Sequence, residues 1–88
     1  NSRDDLSDRQ LLSQFSAQKD ERAFEMLVQR HAHLVWGVCN RVLKNTHDAE
    51  VAFQAVFMVL AKKASSRGWG ESVGPWLYQT AYRVSLKA

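Results

Sequence analysis

Apolar residues recur at three- and four-residue steps along most of the chain, which is the period of helices with one buried face. No strand-like alternation competes with it. Four helices are predicted. In the first, Ser7 is the N-cap and Leu11, Leu12 and Phe15 form a short apolar patch that ends near Gln18. Lys19-Asp20 breaks the pattern, and Asp20 caps the next helix. That second helix carries Phe24, Leu27, Val28, His31, Val35, Val38 and Val42 on one face, with Leu34, Trp36 and Leu43 widening the stripe. A face this broad suits the central helix of a bundle. Lys44-Asn45 closes it, and Thr46 is positioned to cap the third helix. Asp48 and Glu50 then lie in the first turn and Lys62 and Lys63 in the last, all with the sign the helix dipole favours. Ser65 to Ser72, SSRGWGES, reads as a loop of small residues and glycines. The fourth helix starts at Ser72 or Gly74, with Pro75 in its first turn. Leu77, Ala81, Val84 and Ala88 face inward, leaving Trp76, Tyr78, Gln79, Tyr82, Arg83 and Lys87 off the stripe.

The third helix breaks the amphipathic rule. From Val51 to Ala61 its only polar side chain is Gln54, so apolar residues occur all the way round. Either this helix is enclosed on every side, or one face is kept apolar for a partner. Ala52, Val56, Val59 and Lys63 mark one face, and Phe53, Phe57, Leu60 and Ala64 another. Four helices do not easily cover both, together with Val51, Ala55 and Met58. An aliphatic patch edged by Asp48, Glu50 and Gln54 has the make-up of an interface with an apolar centre and a polar rim.

Composition narrows the class. The 88 residues are 45% hydrophobic and 24% charged, with one Pro and four Gly, which is a globular balance sized for one domain. No apolar run reaches the roughly 18–20 residues that cross a bilayer, and the polar N-terminus has no signal-peptide core. The single cysteine, Cys39, has no internal partner for a disulfide, in keeping with a reducing, cytoplasmic setting. The net charge is only +3, but it is unevenly spread. Residues 61–88 hold Lys62, Lys63, Arg67, Arg83 and Lys87 against Glu71 alone. That segment is suited to an anionic partner such as nucleic acid, or to a solvated surface.

No catalytic arrangement is present: there is no paired-carboxylate motif in an apolar setting, no phosphate loop and no nucleophile elbow. His31 and His33 stand two apart on a helix and point to different sides, so they cannot share a metal ion. His31 lies on the core stripe and is read as a packed or hydrogen-bonded histidine. The loop and last helix offer richer chemistry. Trp69, read as an exposed aromatic in an open loop between Gly68 and Gly70, stands near Lys62, Lys63 and Arg67, and the helix adds Gln79, Tyr82, Arg83 and Lys87. Cations for phosphates and aromatic faces for unstacked bases are what single-stranded nucleic acid requires. In the competing view Trp69 and Trp76 are satellite core residues, the more so for Trp76.

Two blocks give the chain a resemblance. Asp48-Ala49-Glu50-Val51-Ala52-Phe53-Gln54-Ala55-Val56-Phe57 and Trp76-Leu77-Tyr78-Gln79-Thr80-Ala81-Tyr82-Arg83 resemble region 2 of the extracytoplasmic-function sigma factors. In these compact members of the sigma-70 family the blocks read D-A-E-D-x-x-Q-x-x-F and W-L-Y-x-x-A. Phe24-Glu25-x-Leu27-Val28-x-x-His31 is similar to the family's opening long helix. The resemblance runs from about Asp8 to Ala88, and three blocks in order are more specific than any one of them.

The resemblance implies a non-enzymatic, all-α, compact four-helix domain: a short N-terminal helix, two long antiparallel helices, a loop and a C-terminal helix. It implies no cofactor. One implied partner is the clamp coiled coil of the RNA polymerase beta-prime subunit, met by Asp48, Glu50, Val51, Gln54 and Phe57. The other is the minus-ten promoter element: Ser65 to Ser72, which include Arg67, Trp69 and Ser72, fall with Gln79, Tyr82 and Arg83 where the family recognises it and traps a flipped non-template base, and side-chain chemistry adds Lys63 and Lys87 to this candidate DNA-binding set. An anti-sigma factor is a further candidate partner. Two departures stand out: Val51 replaces an acidic residue, and the Gly68-Trp69-Gly70 loop is unusual. The family's second DNA-binding domain, region 4, is expected outside these 88 residues, making residues 1–88 one domain of a longer protein. The rival readings are a helical DNA-binding module with no polymerase role and a purely protein-binding adaptor.

Overall fold

The computed structural model describes residues 5–66 and 68–87; Arg67 and Ala88 lie outside the described residues. Four helices follow in the expected order: α1 Asp8–Gln18, α2 Glu21–Leu43, α3 Thr46–Lys63 and α4 Gly74–Lys87. Each boundary has a local cause. Ser7 and Gln10 form a capping box, Ser7 Oγ accepting from the Gln10 amide at 3.1 Å and Gln10 Oε1 from the Ser7 amide at 2.8 Å. Lys19 then turns into the left-handed region at φ 55° and ends α1. Asp20 starts α2 by accepting from the amides of Arg22 and Ala23.

The α2–α3 connection corrects one expectation. Lys44 terminates α2 at φ 55°, leaving Asn45 extended, and Asn45 rather than Thr46 is the N-cap of α3. Its Oδ1 accepts from the Asp48 amide at 3.0 Å. Both residues can cap a helix, and the tight left-handed turn decides between them by placing Asn45 at the required extended backbone.

The 23-residue α2 is the spine of the molecule and packs against each of the other three helices. At about 1.5 Å per residue it spans nearly the whole 37 Å length. α3 runs back along it. Trp36 meets Phe53 with ring centroids 6.2 Å apart, while Phe24 and Ala61 share a groove at the opposite end. The core is built from Leu11 and Leu12 of α1, Leu27, Val35 and Val38 of α2, Val56 and Leu60 of α3, and Leu77 and Ala81 of α4. Phe15 stacks on Phe24 at 4.6 Å where α1 folds onto α2.

The inward stripes differ in detail from those the spacing predicts. Ala23 and Cys39 are fully buried, whereas Leu34 points to solvent and Val42 is half-buried. On α4, Ser85 joins the buried face and Val84 sits at its edge. On α3 the choice between full enclosure and a spare face is settled. Val51 and Met58 are 56% and 60% exposed, although the neighbouring Ala52, Val56, Phe57 and Leu60 are buried.

Candidate functional site

The stretch from α3 to α4 folds into a cleft. α3 ends at Lys63, and the chain turns through Ser65 and Ser66, with the Ser66 amide donating to the Lys63 carbonyl at 3.2 Å. Beyond it, Trp69 packs back instead of extending into solvent. Its Nε1 donates to the Ala64 carbonyl at 3.2 Å, and its ring meets Trp76 edge-to-face with centroids 5.2 Å apart. Ser72 Oγ then accepts from the Gly74 amide at 3.0 Å, organising the entry into α4.

The resulting cleft, about 620 Å³, is lined by Lys63, Ser66, Trp69, Gly70, Ser72, Pro75, Trp76, Gln79 and Arg83. That volume falls in the range of about 300–1,000 Å³ typical of small-ligand sites. It offers two indoles, one amide and two cations. The combination can hold a planar, hydrogen-bonding group and neutralise a nearby phosphate.

Of the residues proposed for nucleic acid, Lys63, Trp69, Ser72, Gln79 and Arg83 are brought together in this cleft. Tyr82 and Lys87 are exposed on α4 but do not line it. Arg67 lies outside the described residues. The picture of Trp69 as an open loop aromatic is corrected: it is half-buried and tethered. Trp76, read chiefly as core, is half-buried and shares the cleft wall.

On the α3 face, Asp48, Glu50, Val51 and Gln54 are exposed as a surface role requires. Phe57 is not. It is 6% exposed, packs on Phe53 with centroids 5.2 Å apart, and contributes only to the floor of a shallow groove. The position follows from helix geometry: Phe57 sits one residue past Val56 and four past Phe53, on the flank turned toward α2. Met58, one of the apolar residues of α3 that four helices do not easily cover, is exposed in its place. With Val51 and Gln54 it forms one line at three- and four-residue steps.

A second cluster lies behind the cleft loop. Asp8, the first residue of α1, is 3% exposed. Its Oδ1 accepts from Arg30 Nη1 at 2.9 Å, and its Oδ2 from the Val73 amide at 2.8 Å. His31 Nε2 lies 2.8 Å from the same Oδ2 and donates there in the tautomer that carries its proton on Nε2. The Asp8 amide in turn donates to the Glu71 carbonyl at 3.0 Å. Burial alone would raise the Asp8 carboxyl. The Val73 amide, Arg30 and His31 outweigh it and hold the group below its ordinary value. Of the two readings of His31, packed or hydrogen-bonded, the structure shows the hydrogen bond. Asp8 carried no sequence signal of its own, because an acid in a helix's first turn is ordinary.

Among the described residues no group of His, Cys, Asp and Glu could hold a metal ion, and no helix is long and apolar enough to cross a membrane. Comparison with known proteins gives one match. A family model for sigma-70 region 2 matches residues 27–88, from the middle of α2 to the end of the chain. No curated protein and no solved structure matches. The chain belongs to the sigma-70 region 2 family, whose role is non-enzymatic: promoter recognition and polymerase binding in transcription initiation.

Proposed function

We propose that this sigma-70 region 2 domain is the promoter-recognition unit of an extracytoplasmic-function sigma factor, acting in the cytoplasm through two separate surfaces. Asp48, Glu50, Val51 and Gln54, joined by Met58, dock on the clamp coiled coil of the polymerase beta-prime subunit. The cleft between the loop and α4 takes a base of the minus-ten non-template strand once the duplex is melted. An anti-sigma factor would compete for one of these surfaces, and region 4 would lie elsewhere in a longer protein.

The observation that carries the reading is the cleft itself, in which two tryptophans and two cations converge on one opening. A base can be read there only after leaving the stack, because an indole-lined recess of this kind excludes paired DNA. Phosphates on either side would fall to Lys63 and Arg83, with Gln79 offering an amide to the base edge.

The test has two arms. The clamp coiled coil should be retained by the unaltered chain and more weakly by Gln54→Ala. A single-stranded minus-ten oligonucleotide should bind better than its duplex, and Trp69→Ala should weaken it roughly tenfold, within the usual worth of one base stack. Duplex binding with no coiled-coil binding would instead favour a DNA module without a polymerase role.

A further inference from the structure

We propose that Asp8 is a positioning residue for the cleft, so that capture of a melted strand depends on a carboxylate outside the nucleic-acid surface. The inference rests on the single-strand reading of the cleft given above. The loop between α3 and α4 is held at two places. Near its start, the Trp69 indole is tied to the Ala64 carbonyl. Near its end, Asp8 brackets Ser72: its backbone amide donates to the Glu71 carbonyl, and its carboxylate accepts from the Val73 amide. Gly70 and Ser72, both cleft-lining, fall between these two ties.

The Asp8 carboxylate is fixed in turn by α2. Arg30 Nη1 holds Oδ1 and also donates to the Leu6 carbonyl at 2.9 Å, while His31 holds Oδ2. Three elements therefore converge on one buried side chain: the start of α1, the middle of α2 and the loop that shapes the cleft. Such a group is costly to bury unless every oxygen is engaged, and here both are. Its placement is specific to the loop end. A carboxylate accepts from the Val73 amide without reservation, whereas an amide side chain in its place would have to turn one N–H toward a donor. Asp8 precedes residues 27–88, the stretch that the family model matches.

The experiment uses the 88-residue chain with Trp36→Phe, leaving Trp69 and Trp76 as its only tryptophans. Two indoles at 5.2 Å couple electronically, so their circular-dichroism couplet reports the loop directly. In that background, Asp8→Asn should keep its helical signal and a cooperative melt but lose the couplet. It should bind a degenerate single-stranded oligonucleotide at least tenfold more weakly, while affinity for the clamp coiled coil changes less than about twofold.

Arg30→Gln removes a partly exposed donor and should shift both cleft readouts the same way by less; it serves if Asp8→Asn fails to fold. The proposal is overturned if the couplet and strand affinity are unchanged, because burial of the Val73 side chain alone would then hold the loop. It is equally overturned if strand and coiled-coil affinities fall together, which would make Asp8 merely structural. If the parent chain binds no single strand, the functional reading fails; the couplet then decides separately whether Asp8 sets the loop.

Discussion

Asp8 shows how one residue can carry more of the fold than its sequence suggests. Its carboxyl is held below the ordinary 3.8 by three donors that outweigh burial. The sign follows from linkage: a depressed native value means that the ionised form favours the folded state. Asp8 therefore contributes its stabilisation in full above about pH 3.8 and loses it as pH falls through the lower native value. Replacing it with alanine leaves the Val73 amide without its acceptor and Arg30 without its ion partner, an expected cost of about 3 kcal/mol near neutral pH. Urea melts of the unaltered chain and Asp8→Ala should show this gap shrinking below about pH 3.8. A gap that widens there would assign the stability to another group. The stripe position of His31 fits a packed or a hydrogen-bonded histidine equally, and the acceptor that decides between them lies 23 residues away. Long-range polar pairs of this kind leave no periodic trace.

At the scale of the element, α3 is the instructive case. Its apolar excess was legible as a pattern, and the four helices were legible from period and caps. What the pattern could not divide was the circumference. Phe57 and Met58 are adjacent and similarly apolar, and only the position of α2 makes the first a core residue and the second a surface one. The N-cap of α3 escaped for a related reason: Asn45 and Thr46 have similar capping chemistry, and the left-handed Lys44 chooses between them. The cleft was half legible. Its cations, Trp69 and the loop around it are legible in the sequence, while Trp76 joins the cleft wall only through the folding back of the loop. The division of α3 predicts opposite behaviour for neighbours. Phe57→Ala should cost about 3–5 kcal/mol in stability, as an emptied core position does. Met58→Ser should stay within about 0.5 kcal/mol of the parent, yet weaken retention of the clamp coiled coil. Thermal melts and pull-downs on the same two variants check both. A stable Phe57→Ala that fails to bind would return Phe57 to the interface.

Across the whole molecule, the two surfaces divide by chemistry. The α3 surface is apolar with an acidic rim, and the cleft is aromatic with a basic rim. The spine helix α2 packs on both α3 and α4, which also pack on each other. A strand in the cleft would meet Lys63 and Arg83 at its wall and Lys87 one turn further along α4. Binding should then be salt-dependent in proportion to the phosphates neutralised. For single strands each contributes about −0.7 to the slope of log affinity against log salt, so three cations give roughly −2. Arg83→Gln should flatten that slope by about 0.7 and weaken all sequences alike. Trp69→Ala should lower affinity with the slope unchanged, because stacking releases no counterions. Anisotropy titrations across a salt series separate the two effects. A Trp69→Ala slope that falls with the affinity would mean that the indole acts by placing the loop's cations, and the cleft would then be an electrostatic groove instead of a base pocket.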